Sequence, residues 1–406
     1  MLSHLLARFR NFNRQRRLQS QITQLSQVDQ AALAGQAAPD PGRVLVVRND
    51  SIGDYLLYRP WLRRLSAVVR SRGQRLMLVA NALWAPLAQA WDADLFDELL
   101  SVQFGRFTKD LAYRTDVLRA IGNYGAGEVV YPLHVREPAV ENFIRFLQAP
   151  VRVASEGAHQ AGPWFDLLNA DYTQLLPSTR AVLFEYDRNR EFFEHWQQAG
   201  AELSTQVAVA GSPAPLCLPS SVAQAAAGEA AALGSYIVLF PGASARQKRW
   251  PAQHFARLAQ LLLQRYGHQY QLVIAGSLDD DRYARHIRQA AGPDIPLLNR
   301  CGQTDLLGLA ALVAGAKLLI SNDTVAAHLG VQAGTPCLVL LMGENYGKFF
   351  PYPPTLLQAP CRCLFPPSQE ARFAQGDFSP PPHDPVLSQL APSRVLEAAA
   401  ELLQVS

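Results

Sequence analysis

Continuous apolar runs of four to eight residues alternate along the chain with stretches of helical periodicity. The first such run is RVLVVR at Arg43–Arg48, which is followed by a polar stretch at 49–54 and by helical spacing from Tyr55 to Val69. An unbroken apolar run of this length is typical of a parallel strand that is buried on both faces. The pattern therefore predicts a strand, a glycine-containing loop and a helix, as in α/β proteins.

The same alternation recurs in two groups separated by a region that is harder to interpret. The predicted strands are Arg43–Arg48, Arg75–Ala80, Phe96–Val102, Glu128–Leu133 and Val151–Ala154 in the first group, and Ser235–Phe240, Gln269–Gly276, Pro296–Cys301, Lys317–Ser321 and Cys337–Leu341 in the second. Apolar runs separated by helix-like sequence indicate βαβ units and parallel sheets. Ligands bind outside the carboxyl ends of such strands. We therefore expect loops 49–54, 241–249, 276–280 and 322–324 to open toward a central cleft.

Changes in composition give the expected domain boundaries. We expect a basic amphipathic helix and linker at 1–40, a Rossmann-like domain at 41–220, a second at 234–385 and a closing helix at 386–406. The Gln-rich stretch 19–36 and the following Ala-Ala-Pro-Asp-Pro-Gly indicate a linker. The Pro- and Phe-rich segment 345–385 is expected to be irregular.

Composition excludes several classes of protein. The chain has 406 residues, is 49% hydrophobic and carries a net charge of +3, which is too mild to indicate nucleic-acid binding by the whole chain. Five Cys residues form no CxxC pair or Cys/His framework, so the sequence predicts neither a zinc site nor a disulfide scaffold. A run of eighteen apolar residues and a signal peptide are both absent from the sequence, and a cytoplasmic setting is expected.

The N-terminal segment differs from the rest of the chain. It carries five Arg between residues 8 and 17, and Leu2, Leu5, Leu6, Phe9 and Phe12 recur at helical spacing. A basic amphipathic helix can lie on an anionic membrane. The alternative is a solvated helix that packs on the body of the protein or on a second copy. The sequence leaves both interpretations of residues 1–20 open.

The stretch 316–343 carries the strongest candidate chemistry. A polar turn, Asn322-Asp323-Thr324, joins a predicted strand to a short helix, and a helix N-terminus favours phosphate because its N–H groups are unpaired and positively polarised. His328 lies four residues after Thr324 and could face the same ligand. The structural alternative is a helix cap and a packed imidazole.

The loop 49–54 is the second candidate. Gly53 permits close approach of a ligand to the backbone, and Asp54 begins a helix, where it is either a functional carboxylate or a cap. The loop matches neither GxGxxG nor a phosphate-binding GxxxxGK[ST] sequence, which disfavours a nicotinamide dehydrogenase and an ATPase. Two acidic stretches, Asp92-x-Asp94 and Asp279–Asp281, are interpreted as a solvated turn and a polar loop rather than metal ligands. The alternative for Asp279–Asp281 is a place near a bound nucleotide, because it follows a predicted strand.

Four blocks together resemble glycosyltransferase family 9, the ADP-heptose:lipopolysaccharide heptosyltransferases. They are RVLVVRNDSIGDYLLYRPWLRRL (43–65), VLFPGASARQKRWPAQHFARLAQLL (238–262), LVIAGSLDD (272–280) and LLISNDTVAAHLGVQAGTPCLVLLMG (318–343). The resemblance implies the GT-B fold, with two Rossmann-like domains whose parallel sheets face a central cleft. It also implies that the N-terminal domain, 41–220, is the acceptor side and that the C-terminal domain, 234–385, binds the nucleotide sugar. One departure is Val325, since the family usually has Gly there and a non-Gly residue restricts positive φ.

The resemblance also implies roles for individual residues. Asp54 matches the catalytic base, and Lys248 matches the residue that meets the negative charge of the departing diphosphate. Asp323 matches the residue that contacts the sugar hydroxyls. The implied donor-binding residues are Gly53, Gly242, Ser244, Lys248, Gly276, Asp323, Thr324, Val325 and His328, with no metal ligand.

The implied function is inverting, metal-independent transfer of a heptose-like sugar from a nucleotide-diphosphate sugar to a hydroxyl of a lipopolysaccharide-type or other cell-surface saccharide. No cofactor is implied, and the co-substrate is a nucleotide sugar such as ADP-heptose. The expected location is the cytoplasm or the inner face of its membrane. Two alternatives remain: a GT-B nucleotide-sugar hydrolase or epimerase, and a non-catalytic, membrane-peripheral nucleotide-sugar-binding protein.

Overall fold

The structure is a computed structural model that describes residues 2–158, 163–199, 215–381 and 386–404, with the backbone alone for 2–15, 17, 163, 164 and 386. The chain divides into two compact units, Met1–Ala208 and Val209–Ser406. Each unit contains a six-stranded sheet in which all neighbouring strands are parallel. The two predicted Rossmann-like halves are therefore confirmed.

The first unit has the strand order β3-β2-β1-β4-β5-β6. Its strands are β1 (Asp40–Arg48), β2 (Arg75–Asn81), β3 (Glu98–Val102), β4 (Ala126–Tyr131), β5 (Val151–Ser155) and β6 (Gln174–Leu176). Its helices are α1 (Leu2–Leu33), α2 (Ile52–Ser71), α3 (Ala85–Trp91), α4 (Phe104–Phe107), α5 (Leu111–Tyr124), α6 (Pro138–Glu141), α7 (Pro163–Asp171) and α8 (Glu185–Ala199). β1 lies at the centre, and its apolar residues from Val44 to Val47 are fully buried.

The Gln-rich stretch is helical, so its interpretation as a linker was wrong. Helix α1 continues to Leu33, and its side chains Ile22, Leu25 and Leu33 are buried. Asp29, itself fully buried, accepts a hydrogen bond of 2.7 Å from Arg114 of α5. The sequence pattern missed this packing because Gln and Ser occupy most of the positions between the buried residues in 19–33.

The second unit repeats the topology, with the order β12-β11-β10-β7-β8-β9. Its strands are β7 (Tyr236–Phe240), β8 (Gln271–Ile274), β9 (Leu297–Asn299), β10 (Leu318–Asn322), β11 (Cys337–Leu340) and β12 (Cys361–Leu364). Its helices are α9 (Ser220–Leu233), α10 (Ala252–Tyr266), α11 (Asp281–Ala291), α12 (Leu306–Ala314), α13 (Val325–Ala333), α14 (Pro367–Ala374) and α15 (Pro392–Gln404).

The segment 345–385 is more ordered than the sequence predicts. It contributes the edge strand β12, which pairs with β11, and the helix α14. The strand is only four residues long and prolines lie close on both sides, so periodicity could not reveal it. The final helix, α15, buries Val395, Ala399 and Leu402 in the core of the second unit.

Candidate functional site

In each sheet, a polar loop follows the central strand at the point where the strand order reverses. In the first unit β1 pairs with both β2 and β4, and in the second β7 pairs with both β8 and β10. In open α/β sheets this switch point is where a crevice forms outside the carboxyl ends of the strands. Loops 49–54 and 241–249 follow the central strands, so the topology places both predicted loops at the switch points of their own units.

Asn322 fixes the loop geometry in the second unit. Its fully buried side chain donates a hydrogen bond of 2.8 Å to the Pro241 carbonyl and accepts one of 3.2 Å from the Trp250 N–H. The end of β10 therefore holds both ends of the loop that follows β7. The sequence placed Asn322 in a polar turn but did not assign it this role. The one feature of the sequence that could have indicated the role is the position of Asn322 directly after a predicted strand.

Lys248 lies between two carboxylates. Its Nζ atom is 3.5 Å from an oxygen of Asp323 and 3.6 Å from an oxygen of Glu344, and its side chain is 15% exposed. The structure thus brings together Lys248 and Asp323, which the sequence predicted for one site. Glu344 is an addition that sequence reasoning missed, because it directly precedes the segment 345–385, which was expected to be irregular. The ammonium group provides a positive charge that a diphosphate could meet.

Helix α13 begins at Val325, directly after Thr324. Thr324 is extended and makes no side-chain cap, with a φ of −158°. Val325 has helical backbone geometry, and because helical φ is negative any L-residue adopts it. The departure from Gly therefore requires no special conformation here. The helix N-terminus still directs its first N–H groups toward the loop side, where an anion is favoured.

Gly242 and Gly276 lie tightly against Asp280. A Cβ atom at Gly242 would lie 2.6 Å from an Asp280 carboxylate oxygen, and one at Gly276 would lie 2.9 Å from the Asp280 Cβ atom. Asp280 accepts hydrogen bonds from the Ser277 N–H at 3.0 Å and hydroxyl at 2.7 Å. Both glycines are thus required for loop packing, whatever they contribute to a ligand. Ser244, in contrast, is exposed.

His328 is buried against aromatic side chains. Its Nδ1 atom is 2.7 Å from the Tyr352 hydroxyl, and its ring lies 4.9 Å from that of Phe350. Burial raises the pKa of Tyr352 well above its usual value, so this hydroxyl keeps its proton. His328 therefore shares a helix with the predicted phosphate-binding residues, while its ring packs in an aromatic group on the segment 350–352.

Asp54 occupies the first turn of α2 in the first unit. It accepts hydrogen bonds from the Ser51 N–H at 3.2 Å and from the Ser51 hydroxyl, which forms a capping box. Its side chain is partly exposed, and Gly53 directly precedes it in the helix. The capping role considered from the sequence is thus present, and the carboxylate also remains open to solvent for chemistry.

A buried ion pair supports this loop. The fully buried Arg48 guanidinium donates to Asp50 and, at 2.9 Å, to Asn189, and it lies 3.8 Å from the centre of the Tyr58 ring. Burial raises the pKa of Asp50 to about 6, although the Arg48 charge opposes this. The Asp50 carbonyl accepts a hydrogen bond from the Trp84 indole at 3.1 Å. Sequence reasoning missed this pair, because Arg48 ends an otherwise apolar strand.

The acidic pairs that the sequence excluded as metal ligands have structural partners. Asp92 is buried, not solvated, and pairs with Arg59 at 2.7 Å, so the interpretation as a solvated turn was wrong for this residue; Asp94 is exposed. Asp279 is exposed, whereas Asp280 is buried in its capping box. Over the ranges described, no group of three or more His, Cys, Asp and Glu residues is arranged to hold a metal ion.

The comparisons with known proteins agree with the resemblance seen in the sequence. Residues 175–358 match the family described as glycosyltransferase family 9 (heptosyltransferase). The match contains the three blocks of the second unit, with Lys248, Asp323 and His328. The block 43–65, which carries Asp54, lies outside it. The match to this family thus rests on the blocks of the second unit.

Curated relatives match a part of the chain. The lipopolysaccharide heptosyltransferase 2 proteins of Salmonella typhimurium and Escherichia coli are 30% and 31% identical over 158 residues, which are 38% of this chain and 43% of each relative. Lipooligosaccharide heptosyltransferase 2 of Haemophilus influenzae is 29% identical over 106 residues, which are 26% of this chain and 30% of the relative. The matched segments span less than half the length of these relatives.

Solved structures match nearly the whole fold. A glycosyl transferase family 9 protein from Veillonella parvula has a TM-score of 0.63 at 20% identity and covers 92% of this chain and 100% of its own. E. coli ADP-heptose lps heptosyltransferase II has a TM-score of 0.61 at 19% identity, with 89% and 99% covered. The predicted GT-B fold is therefore confirmed.

Proposed function

We propose that this chain, in which residues 175–358 are a glycosyltransferase family 9 domain, transfers a heptose-like sugar from a nucleotide-diphosphate sugar to a hydroxyl of a lipopolysaccharide-type saccharide. The observation that carries the proposal is the Lys248–Asp323 pair at the switch point of the second sheet. The relatives named lipopolysaccharide heptosyltransferase 2 support a heptose and a lipopolysaccharide acceptor.

The second unit binds the donor in this proposal. Breaking the bond between the sugar and the diphosphate leaves negative charge on the β-phosphate, and Lys248 neutralises that charge by the logic of an oxyanion hole. The N–H groups at the start of α13, next to Thr324, share the task. Asp323 accepts hydrogen bonds from the sugar hydroxyls, and its contact with Lys248 holds the two polar groups together in the free protein.

The first unit supplies the base. Asp54 accepts the proton of the acceptor hydroxyl as the hydroxyl oxygen attacks the anomeric carbon from the face opposite the diphosphate. A single displacement of this kind inverts the anomeric configuration. General-base assistance contributes roughly 10²–10⁴ in rate. Two contacts from Ser51 fix the carboxylate, and these leave room for a further hydrogen bond on its exposed side.

The proposed reaction uses no divalent metal, because the positive charge that the diphosphate requires comes from Lys248 and the helix N-terminus. The proposed acceptor is lipid-linked, and the Arg-rich start of α1 is proposed to contact an anionic membrane surface. Further along α1, Gln21 donates a hydrogen bond of 3.1 Å to the Thr108 carbonyl and Ile22 is buried, so this part of the helix packs on the first unit. No described helix has both the length and the apolar character needed to cross a membrane.

The experiment is a transfer assay with ADP-heptose and lipopolysaccharide from a heptose-deficient strain, followed by mass spectrometry of the saccharide. The proposal predicts a mass increase of one heptose together with release of ADP. ADP release at the same rate without acceptor would instead identify a hydrolase. Binding of ADP-heptose without release or transfer would favour the non-catalytic alternative. The Lys248→Met protein, which keeps the length of the side chain, provides the control for donor-site chemistry.

A further inference from the structure

Four aromatic side chains form a connected group beyond the end of β11. This aromatic platform consists of Tyr346, Phe365, Phe373 and Phe378. The Tyr346 and Phe378 rings are stacked with centroids 5.0 Å apart and planes at 25°, and the Phe373 and Phe378 rings are 5.3 Å apart at 23°. The Tyr346 ring also lies 5.6 Å from that of Phe365. The platform is therefore a single aromatic surface and not a set of isolated rings.

Phe378 is the exposed member of the platform, with 51% of its surface accessible. Its neighbours hold it in place: Asp377 accepts hydrogen bonds from the Ser379 hydroxyl at 2.6 Å, from the Ser379 N–H at 3.0 Å and from the Arg372 side chain at 2.9 Å. These contacts lower the pKa of Asp377 to about 2, because they favour its ionised carboxylate. An exposed aromatic ring on a fixed turn is preorganised to contact a ligand.

The platform adjoins the proposed donor site. One cavity is lined by Asp323 and Asn345 together with Tyr346, Phe349 and Phe365. Glu344, which pairs with Lys248, is two residues before Tyr346 on the same loop. Gly343 makes this packing feasible, because a Cβ atom there would lie 2.8 Å from the Gln369 side chain of α14. The aromatic platform is thus continuous with the residues that are proposed to bind the donor sugar.

We propose that the aromatic platform binds a pyranose ring of the saccharide acceptor, with Phe378 as the stacking residue. This inference rests on the proposed function. The negative face of an aromatic ring attracts the polarised C–H groups of one sugar face, and the sugar hydroxyls at its edge require hydrogen-bond acceptors. Asp323, Asn345 and Glu344 provide such acceptors beside the platform.

The test compares Phe378→Ala with Phe378→Trp and with a control, Tyr270→Ala. Tyr270 directly precedes β8 and so lies at the amino end of that strand, away from the proposed site, where it forms an edge-to-face pair with Tyr266 at 5.5 Å. The acceptor probe is core oligosaccharide released from lipopolysaccharide by mild acid. F378A should raise the KM for this acceptor about tenfold, the scale of a lost aromatic stack, while F378W and Y270A keep the wild-type value. The Kd for ADP should be the same in all four proteins.

A binding measurement keeps the test independent of catalysis. The F378W protein should show a saturable change in tryptophan emission with the oligosaccharide, relative to wild type, and no change with ADP. An unaltered acceptor KM in F378A, or emission that responds to ADP and not to the oligosaccharide, would overturn the proposal. If no variant transfers heptose but the oligosaccharide signal is present, the platform stands and the proposed function fails.

Discussion

The charge on Lys248 provides the most informative perturbation of the donor site. Its ammonium group lies 3.5 Å from Asp323 and 3.6 Å from Glu344, so one positive charge is shared by two negative charges before any ligand arrives. A diphosphate must compete with these carboxylates for the same cation. Two substitutions, Lys248→Met and Glu344→Gln, should therefore change nucleotide affinity in opposite directions.

The expected changes in ADP affinity follow from how far each side chain is exposed to solvent. The Lys248 side chain is 15% exposed, and a hydrogen bond between charged groups of this kind contributes about 1.5–3 kcal/mol. K248M should thus weaken ADP binding roughly 10- to 150-fold. The Glu344 side chain is 41% exposed, so solvent screens its pair with Lys248 to about 0.2–1 kcal/mol. E344Q should therefore tighten ADP binding by roughly 1.4- to 5-fold.

Isothermal titration calorimetry with ADP at two salt concentrations measures both effects. The difference between wild type and K248M should shrink as salt rises, because ions screen partly exposed charges. Lys317→Met is the matched control, since Lys317 is an exposed lysine just before β10, at the amino end of the strand and not at its carboxyl end. Wild-type ADP affinity in K248M would remove Lys248 from the diphosphate site. Weaker binding in E344Q would show that Glu344 positions the lysine and does not compete with the ligand.

Three further predictions concern the first unit and the absence of a metal requirement. Burial raises the pKa of Asp50 from 3.8 to about 6, so the native state binds more protons than the unfolded chain in that window. The contribution of Asp50 to the unfolding free energy should therefore fall by up to about 3 kcal/mol as pH rises from 4 to 6, and urea titrations should show a smaller decrease in D50N than in wild type. D29A should lower the unfolding free energy by about 3–5 kcal/mol, because it leaves the fully buried Arg114 unpaired; an unchanged urea midpoint would mean that α1 contributes little to the fold. Transfer should continue at full rate in EDTA, and loss of activity that Mg²⁺ restores would contradict the proposed role of Lys248.

The sequence predicted those parts of the fold that depend on long apolar runs. The strands around Val44–Val47 and Ile237–Leu239 are buried on both faces, so their composition alone distinguishes them from amphipathic elements. Strand β12 and helix α9 were missed for opposite reasons. β12 is too short for periodicity to appear, and α9 is so rich in alanine that its pattern distinguishes no face.

The sequence predicted a shared position for polar residues in the loops that follow the carboxyl ends of neighbouring strands. Asp323 and Lys248 meet as expected because β7 and β10 are neighbours in a doubly wound sheet. The supporting contacts were not predictable, since they depend on which side chains face each other after folding. Asn322 and Glu344 acquire their roles only through the loop that contains Trp250 and Lys248.

The most direct test of the proposed mechanism is the Asp54→Asn protein, measured for both donor binding and turnover. Asparagine keeps an oxygen that can accept the Ser51 contacts, so the cap of α2 and the fold should be retained. We predict an unchanged Kd for ADP-heptose and a kcat for heptose transfer that is lower by roughly 10²–10⁴. A wild-type kcat in this protein would contradict the assignment of Asp54 as the base that accepts the acceptor's proton.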